Sequence, residues 1–558
     1  MAGPTPVPII ERLVRAAVPD RGVRFVGANG DTFVSWAQLH AEARVVAASL
    51  QARGIRAGDQ VAILGPTSRG LVTVIQGCWL AGAASMVLPL PMRMGSLQEF
   101  IAQTRGRIRH GDARLVLIDD QLAPFYESVE GDPPMEPLGN VLPGAPGAPS
   151  PDAAVLPGPD PERLVILQYT SGSTSEPKGV MIPDRVLGAN LDGITAAAQV
   201  VVGRDVTVSW LPLYHDMGLV GLLALPMTLG LDHVQAAPQD FLAHPGHWME
   251  WISRYGGTAT AGPNFSWVLA TRALKRMKDL DLSSMRVALS GAEPIDPDAV
   301  EAFVAEAGRF GFPPGAVFCA FGMAEVAIGG TFPPPGRGLR VDVVDRAVLE
   351  AKHEAVPVAV DHVRARRIPF LGAPVPGLEM RICDPTTGWV LGDRFVGELE
   401  LRGTSVTPGY YKRPDVSAEL FHDGWLRTGD LAYAVDGELV MCGRIKDVII
   451  VGGRNVYPMD IERAVGDIDG VRAGNVIAFG VEGYKGKESV VIVAEAKADP
   501  DALDEVRRHV HDRCVQVVGL PPRDVMLVQP GTLPKTSSGK LQRARCREQY
   551  LGETLSLL

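Results

Sequence analysis

From Ser35 to Ile118 the chain alternates two apolar spacings that belong to different secondary structures, and this alternation admits few folds. Ser35 and Gln38 make a capping-box pattern. Leu39, Ala43, Val46 and Leu50 then share one helical face, and Gly54 is a stop. A β-type run follows at Gln60–Leu64 and ends at Gly65-Pro66. The same rhythm continues to a second run at Arg114–Ile118. It predicts an α/β protein with mostly parallel sheets. At 558 residues the chain exceeds one core. Domains hold about 100–200 residues, so two to four units are expected.

Apolar residues make up 46% of the sequence, enough for large cores, and the formal charge is −10. That balance argues against a protein that grips nucleic acid or anionic lipid. The six cysteines include no C-x-x-C pair and read as reduced core thiols. The first twenty residues hold no apolar run of signal-peptide length, and no later stretch reaches the ~20 residues of a membrane span. The expectation is a cytoplasmic protein without an integral membrane segment.

Prolines and glycines crowd Gln121–Pro161, which reads as an exposed connector. The last hundred or so residues read as a small α+β domain. A helix is expected at Asp460–Val465, strands at Gly474–Val481 and Ser489–Ala496, and an amphipathic helix at Ala502–Val515.

The strongest chemical signal is "YTSGSTSEPKGVM", Tyr169 to Met181, after the strand-like "RLVILQYT". Glycines let backbone approach a polyphosphate closely. Backbone N–H groups, the hydroxyls of Thr170, Ser171, Ser173 and Thr174, and the Lys178 ammonium can all address phosphate oxygens. No Ser or Thr follows the lysine, so this is not the Walker loop.

The string resembles the phosphate loop of the adenylate-forming ligases, a superfamily of acyl-CoA synthetases, peptide-synthetase adenylation domains and luciferase-like enzymes. Further matches follow in that family's order: "LPLYHDMGLVG" from Leu211, "SGAEPI" from Ser290, "FGMAE" from Phe321, "WLRTGDLAY" from Trp425, "GRIKDVIIVGGRNVYPMDIE" from Gly443 and "LPKTSSGKLQR" from Leu533. The resemblance spans nearly the whole chain. It implies a large N-terminal ATP- and acyl-binding domain of α/β subdomains, residues 1–445, and a mobile C-terminal domain, 446–558.

The resemblance also implies roles. Adenylation joins two anions, so the protein must supply positive charge and orientation. Lys540 would bridge the carboxylate and α-phosphate oxygens, and His215 would lie where the acyl pocket meets the phosphate site. Glu325 and Thr174 would hold Mg²⁺, a cation that prefers oxygen ligands. The nucleotide would lie against Thr170, Ser171, Gly172, Ser173, Thr174 and Lys178, the turn Gly291–Ala292–Glu293, the run Phe321–Gly322–Met323–Ala324, and Asp430 and Arg444. Lys446 would be the hinge.

Within the superfamily the wording is most like a fatty acyl-AMP ligase. "SWLPLYHDMGLVG", "GRNVYPMDIE" and the ending "SSGKLQRARCREQYLG" are similar to that branch, and so is the extended segment 331–370. In the branch an extra element of this kind hinders the domain rearrangement that CoA thioesterification needs. Phe321 in place of a tyrosine, Val456 in place of a histidine and Asp184 in place of another histidine depart from it. The implied reaction is ATP plus fatty acid giving acyl-AMP and pyrophosphate, with transfer to a holo acyl carrier protein or a polyketide synthase carrier domain. The alternatives are a fatty acyl-CoA ligase and, remotely, an inactive adenylate-binding regulator.

Overall fold

The computed structural model describes residues 6–27, 30–90, 97–169, 178–482, 488–497, 500–536, 539–556 and 558. Two mostly parallel sheets form its body. The first runs in the order Met135–Pro137, Ala113–Ile118, Gln60–Leu64, Ala84–Val87, Leu164–Tyr169, Gly179–Pro183, with only the last pair antiparallel. The second runs Val317–Cys319, Val287–Ser290, Ala259–Gly262, Val206–Ser209, Asp232–Ala236, Gly22–Val26, Thr32–Ser35, again antiparallel only at the last pair. The α/β architecture expected from the alternating spacings is the one observed.

The helix Trp36–Ala52 shows why. Ser35 caps it by accepting from the Gln38 N–H, and Leu39, Ala43, Val46 and Leu50 are fully buried. Only half of the capping box forms, because the Gln38 amide donates to Glu42 instead. At Gly77 of the neighbouring helix Arg69–Ala81, a Cβ would meet the Val46 side chain at 2.5 Å. A glycine is needed for the two helices to pack this closely.

Segment 121–161 departs from the expected exposed connector. Its strand Met135–Pro137 extends the first sheet, and Tyr126, Leu138, Val141 and Ala154 are buried. Prolines and glycines here shape turns between apolar anchors.

A five-stranded antiparallel sheet follows, built on Leu378–Cys383, Gly397–Gly403, Phe421–His422, Trp425–Val435 and Glu438–Arg444. Beyond it, residues from Ile449 onward build a core of their own, in which Ile461, Val465, Ile492, Val510 and Cys514 are buried. Its sheet joins Val471–Glu482, Glu488–Ala496 and Asp524–Val528, and the helices Pro458–Gly466 and Leu503–Val518 cover it.

Segment 331–370 folds as a hairpin, Val341–Asp345 with Ala365–Pro369, enclosing the helix Arg346–Lys352. Its Val344, Leu349, Ala355, Ile368 and Phe370 share one buried cluster with Tyr433 and Cys442 of the body and with Tyr457 of the C-terminal part. Arg366 crosses the same boundary. Its Nε donates to Asp460 at 3.0 Å, its Nη2 donates to the Cys442 carbonyl, and its guanidinium lies 4.4 Å from the Tyr457 ring centre. All six cysteines are free and buried. Among the described residues no helix is long and apolar enough to cross a membrane.

Candidate active site

Ligands of open α/β sheets collect outside the carboxyl ends of the strands. Four of the sequence motifs follow such strands. Leu164–Tyr169 precedes the motif that includes Lys178, Val206–Ser209 leads to His215, Val287–Ser290 leads to Glu293, and Val317–Cys319 leads to Glu325. Thr170, Ser171, Gly172, Ser173 and Thr174 lie outside the described residues.

His215 precedes an eight-residue π-helix, Met217–Ala224, and Asp216 caps it by accepting from the Met217 N–H at 2.8 Å. Pro226 follows. It lacks an N–H and crowds the preceding turn, which favours the wider helix. A Cβ on Gly218 would lie 2.3 Å from the Pro212 carbonyl oxygen, so only glycine lets the loop fold back. His215 Nδ1 sits 2.7 Å from Asp216 Oδ1, which orients the ring. Burial opposes ionisation of Asp216, but His215 and then Lys540 outweigh it and hold the carboxyl below its usual range.

Gly291–Ala292–Glu293 forms a tight turn with Ala292 at φ +68°. A left-handed alanine is strained backbone, and such strain gathers at functional sites. Glu293 Oε1 accepts from the Phe265 N–H at 2.8 Å. Phe321–Gly322 pairs with Gly329–Phe332, and a Cβ on Gly322 would stand 2.0 Å from the Ile328 carbonyl oxygen. Met323 and Ala324 continue into the short turn that carries Glu325. Burial pushes the Glu325 carboxyl up, opposed by a 2.7 Å hydrogen bond from the Tyr410 hydroxyl.

Asp430 and Arg444 face each other across paired strands, and Arg444 Nε donates to Asp430 Oδ1 at 2.9 Å. Burial raises the Asp430 carboxyl and the Arg444 charge opposes it. Lys446 lies in the single turn Ile445–Asp447 between this sheet and the C-terminal core.

Lys540 comes from the far end of the chain. Its turn closes through Thr536, whose N–H donates to the Lys540 carbonyl at 2.8 Å and whose Oγ1 accepts the Lys540 N–H at 3.1 Å. Burial lowers the affinity of its ammonium for the proton, while Asp216, Glu293 and Asp430 act to keep it charged. The fold therefore brings Lys540, Glu293, Asp430, Arg444 and Glu325 into one electrostatic neighbourhood. Two further residues of the site, Asp216 and Tyr410, were not singled out in the sequence. Asp216 stands beside His215 inside a recognised motif, so the signal for it was present. Tyr410 sits in "TPGYYKRPD", remote from Glu325 in sequence, and nothing there marks it.

A family model described as AMP-binding enzyme matches residues 14–411. The chain belongs to that family. The Mycobacterium tuberculosis protein Rv1013 is 39% identical over 518 residues, 91% of this chain and 93% of its own. The medium-chain-fatty-acid–acyl-carrier-protein ligase JamA of Moorena producens is 31% identical, over 94% of this chain and 90% of its own. A structure from work on fatty acyl-adenylate ligases of E. coli and L. pneumophila superposes on this AMP-binding enzyme with a TM-score of 0.91. It has 30% identity, and 98% of each chain is covered.

Proposed function

We propose that this chain activates a fatty acid. The acid's carboxylate attacks the α-phosphate of ATP, pyrophosphate leaves, and the acyl group of the acyl-AMP passes to the phosphopantetheine thiol of a carrier protein or carrier domain. The observation that carries this reading is the placement of Lys540 among Asp216, Glu293 and Asp430. A mobile cation set at the meeting point of two anions is what adenylation requires. The carrier as acceptor draws support from JamA, a ligase named for that partner, and the acyl-adenylate draws support from the fatty acyl-adenylate ligase structure.

In this reading Asp430 accepts hydrogen bonds from the ribose hydroxyls and Arg444 supports the nucleotide. The turn Gly291–Glu293 and the run Phe321–Ala324 border the adenine, and Lys178 addresses the phosphates with Thr170–Thr174. His215 borders the carboxylate end of the acyl chain. Mg²⁺ would be held by Glu325, together with Thr174. The Glu325 carboxylate fits this, since Tyr410 bonds to Oε1 and a nearby cation would offset the burial that disfavours its charge. Among the described residues no cluster of three or more His, Cys, Asp or Glu is placed to hold a metal. The ion would therefore rely on nucleotide oxygens as well. When bound it would offset phosphate charge.

The test is exchange of labelled pyrophosphate into ATP across a ladder of fatty acids, followed by offering CoA and a holo carrier protein in parallel. Acid-dependent exchange and preferential carrier acylation are expected. No exchange with any acid would sink the reading, and faster acylation of CoA would move the chain to the acyl-CoA ligases.

The hinge supplies another prediction. Single-turn helices use φ near −60°, which proline's ring also imposes. Lys446→Pro fixes φ at this position and restricts a swing about it. Acyl-AMP formation should largely persist while transfer to the thiol falls at least tenfold. A folded variant that loses both steps equally would place the hinge elsewhere.

A further inference from the structure

The loop Thr407–Tyr411 is stitched to two parts of the site at once. Thr407 donates its N–H to the Glu325 carbonyl at 2.8 Å. Met181 N–H donates to the Gly409 carbonyl at 3.1 Å, and Tyr411 N–H donates to the Gly179 carbonyl at 2.8 Å. The strand Gly179–Pro183 is the one that Lys178 enters. Tyr410 N–H donates to Ser417 Oγ at 2.9 Å, and a Cβ on Gly409 would lie 2.6 Å from that same oxygen. Glycine at φ +137° is what allows this approach.

Tyr410 is fixed by these bonds and is only 8% exposed. Its hydroxyl donates to Glu325 Oε1 at 2.7 Å, and Lys178 Nζ stands 5.4 Å from its ring centre. One side chain therefore touches both charged groups that the proposed reaction turns toward the polyphosphate. A glutamate on a three-residue turn has free torsions, and a fixed O–H donor at one oxygen leaves the other aimed. A cation over an aromatic face is held without a competing negative charge. A carboxylate in that place would compete with phosphate for Lys178, whereas a ring does not.

We propose that Tyr410 is a positioning residue of the adenylation site, whose hydroxyl orients Glu325 toward the metal-bound nucleotide and whose ring seats Lys178. This rests on the reading that the site binds ATP with a divalent cation. The two functions separate by substitution. Tyr410→Phe keeps the ring and removes the hydrogen bond, and Tyr410→Leu removes both.

The experiment is calorimetric titration of the full chain with ATP, once with Mg²⁺ and once with EDTA. Mg²⁺ should tighten ATP binding by the wild type. Tyr410→Phe should lose about tenfold or more of that Mg²⁺-dependent gain, as expected for a lost hydrogen bond to a charged group. Its binding in EDTA should stay within twofold of wild type. Tyr410→Leu should weaken binding in both conditions. In a Glu325→Gln background Tyr410→Phe should have no further effect, since the hydroxyl then has no carboxylate to orient. Full retention of the Mg²⁺-dependent gain by Tyr410→Phe would overturn the proposal. So would unchanged EDTA binding by Tyr410→Leu, or additive losses in the double variant. Wild-type protein that binds ATP with Mg²⁺ yet exchanges no pyrophosphate would defeat the fatty-acid reading while these titrations still decide Tyr410. Wild-type protein that binds no ATP would defeat both.

Discussion

Lys540→Ala should lower acyl-AMP formation roughly 100- to 1000-fold, the usual loss when one preorganised stabiliser of transition-state charge is removed. The ammonium lies on a turn that Thr536 closes from both sides, and it reaches a neighbourhood containing Asp216, Glu293 and Asp430. Substrate carboxylate and α-phosphate add negative charge at that point, and the added charge grows most as the new P–O bond forms. ATP binding should survive, because the proposed ribose and phosphate contacts belong to residues before the hinge. Single-turnover acyl-AMP formation with saturating ATP separates the two. A variant with near-normal turnover would remove Lys540 from the reaction.

Arg366→Met should change the balance between the two steps. Arg366 lies in the hairpin of segment 331–370 and pairs at 3.0 Å with Asp460, beyond the proposed hinge. Its guanidinium also rests on the Tyr457 ring. Glu350 of the same segment reaches Arg454 at 3.6 Å, and Leu349 packs into the shared cluster. These contacts exist only while the C-terminal unit is docked as observed. An interface worth about 1.4–3 kcal/mol biases a two-state equilibrium ten- to more than a hundredfold. Arg366→Met keeps most of the side-chain volume and removes the ion pair. The ratio of thiol acylation to acyl-AMP formation should rise by about tenfold or more, with CoA as the clearer acceptor. Shortening the segment is a poorer test, since Val344, Leu349 and Ala355 are core residues and their loss would unfold the cluster. An unchanged ratio would mean that the segment does not govern the swing.

The α/β body was legible because period alone separates helix from strand, and Gln60–Leu64 and Ala113–Ile118 lie where the spacing put them. The C-terminal helix Leu503–Val518 buries Val506, Val510 and Cys514, the face that its sequence marked. Segment 121–161 was misread because turn residues mask sparse apolar anchors. Leu138 and Val141 have no periodic neighbours to announce them. Site residues carried by ordered motifs could be named, since each motif holds its own loop chemistry. Tyr410 could not, because its contact with Glu325 is made by chain folding across 85 residues. The same holds for Arg366 and Asp460, which no local pattern joins.

The buried cysteines carry a consequence for chemical self-protection. An acyl-adenylate is a strong acylating agent, and a thiolate is the side chain it would attack most readily. Burial pushes the thiols of Cys78, Cys319, Cys442, Cys514 and Cys546 up to about 12 and that of Cys383 to about 11. None is ionised near neutrality, and all six lie away from solvent. The proposed reaction hands an activated acyl group to a foreign sulfur; with its own sulfurs buried and protonated the chain stays out of that competition, and the intermediate can wait for its acceptor without being consumed by the protein that made it.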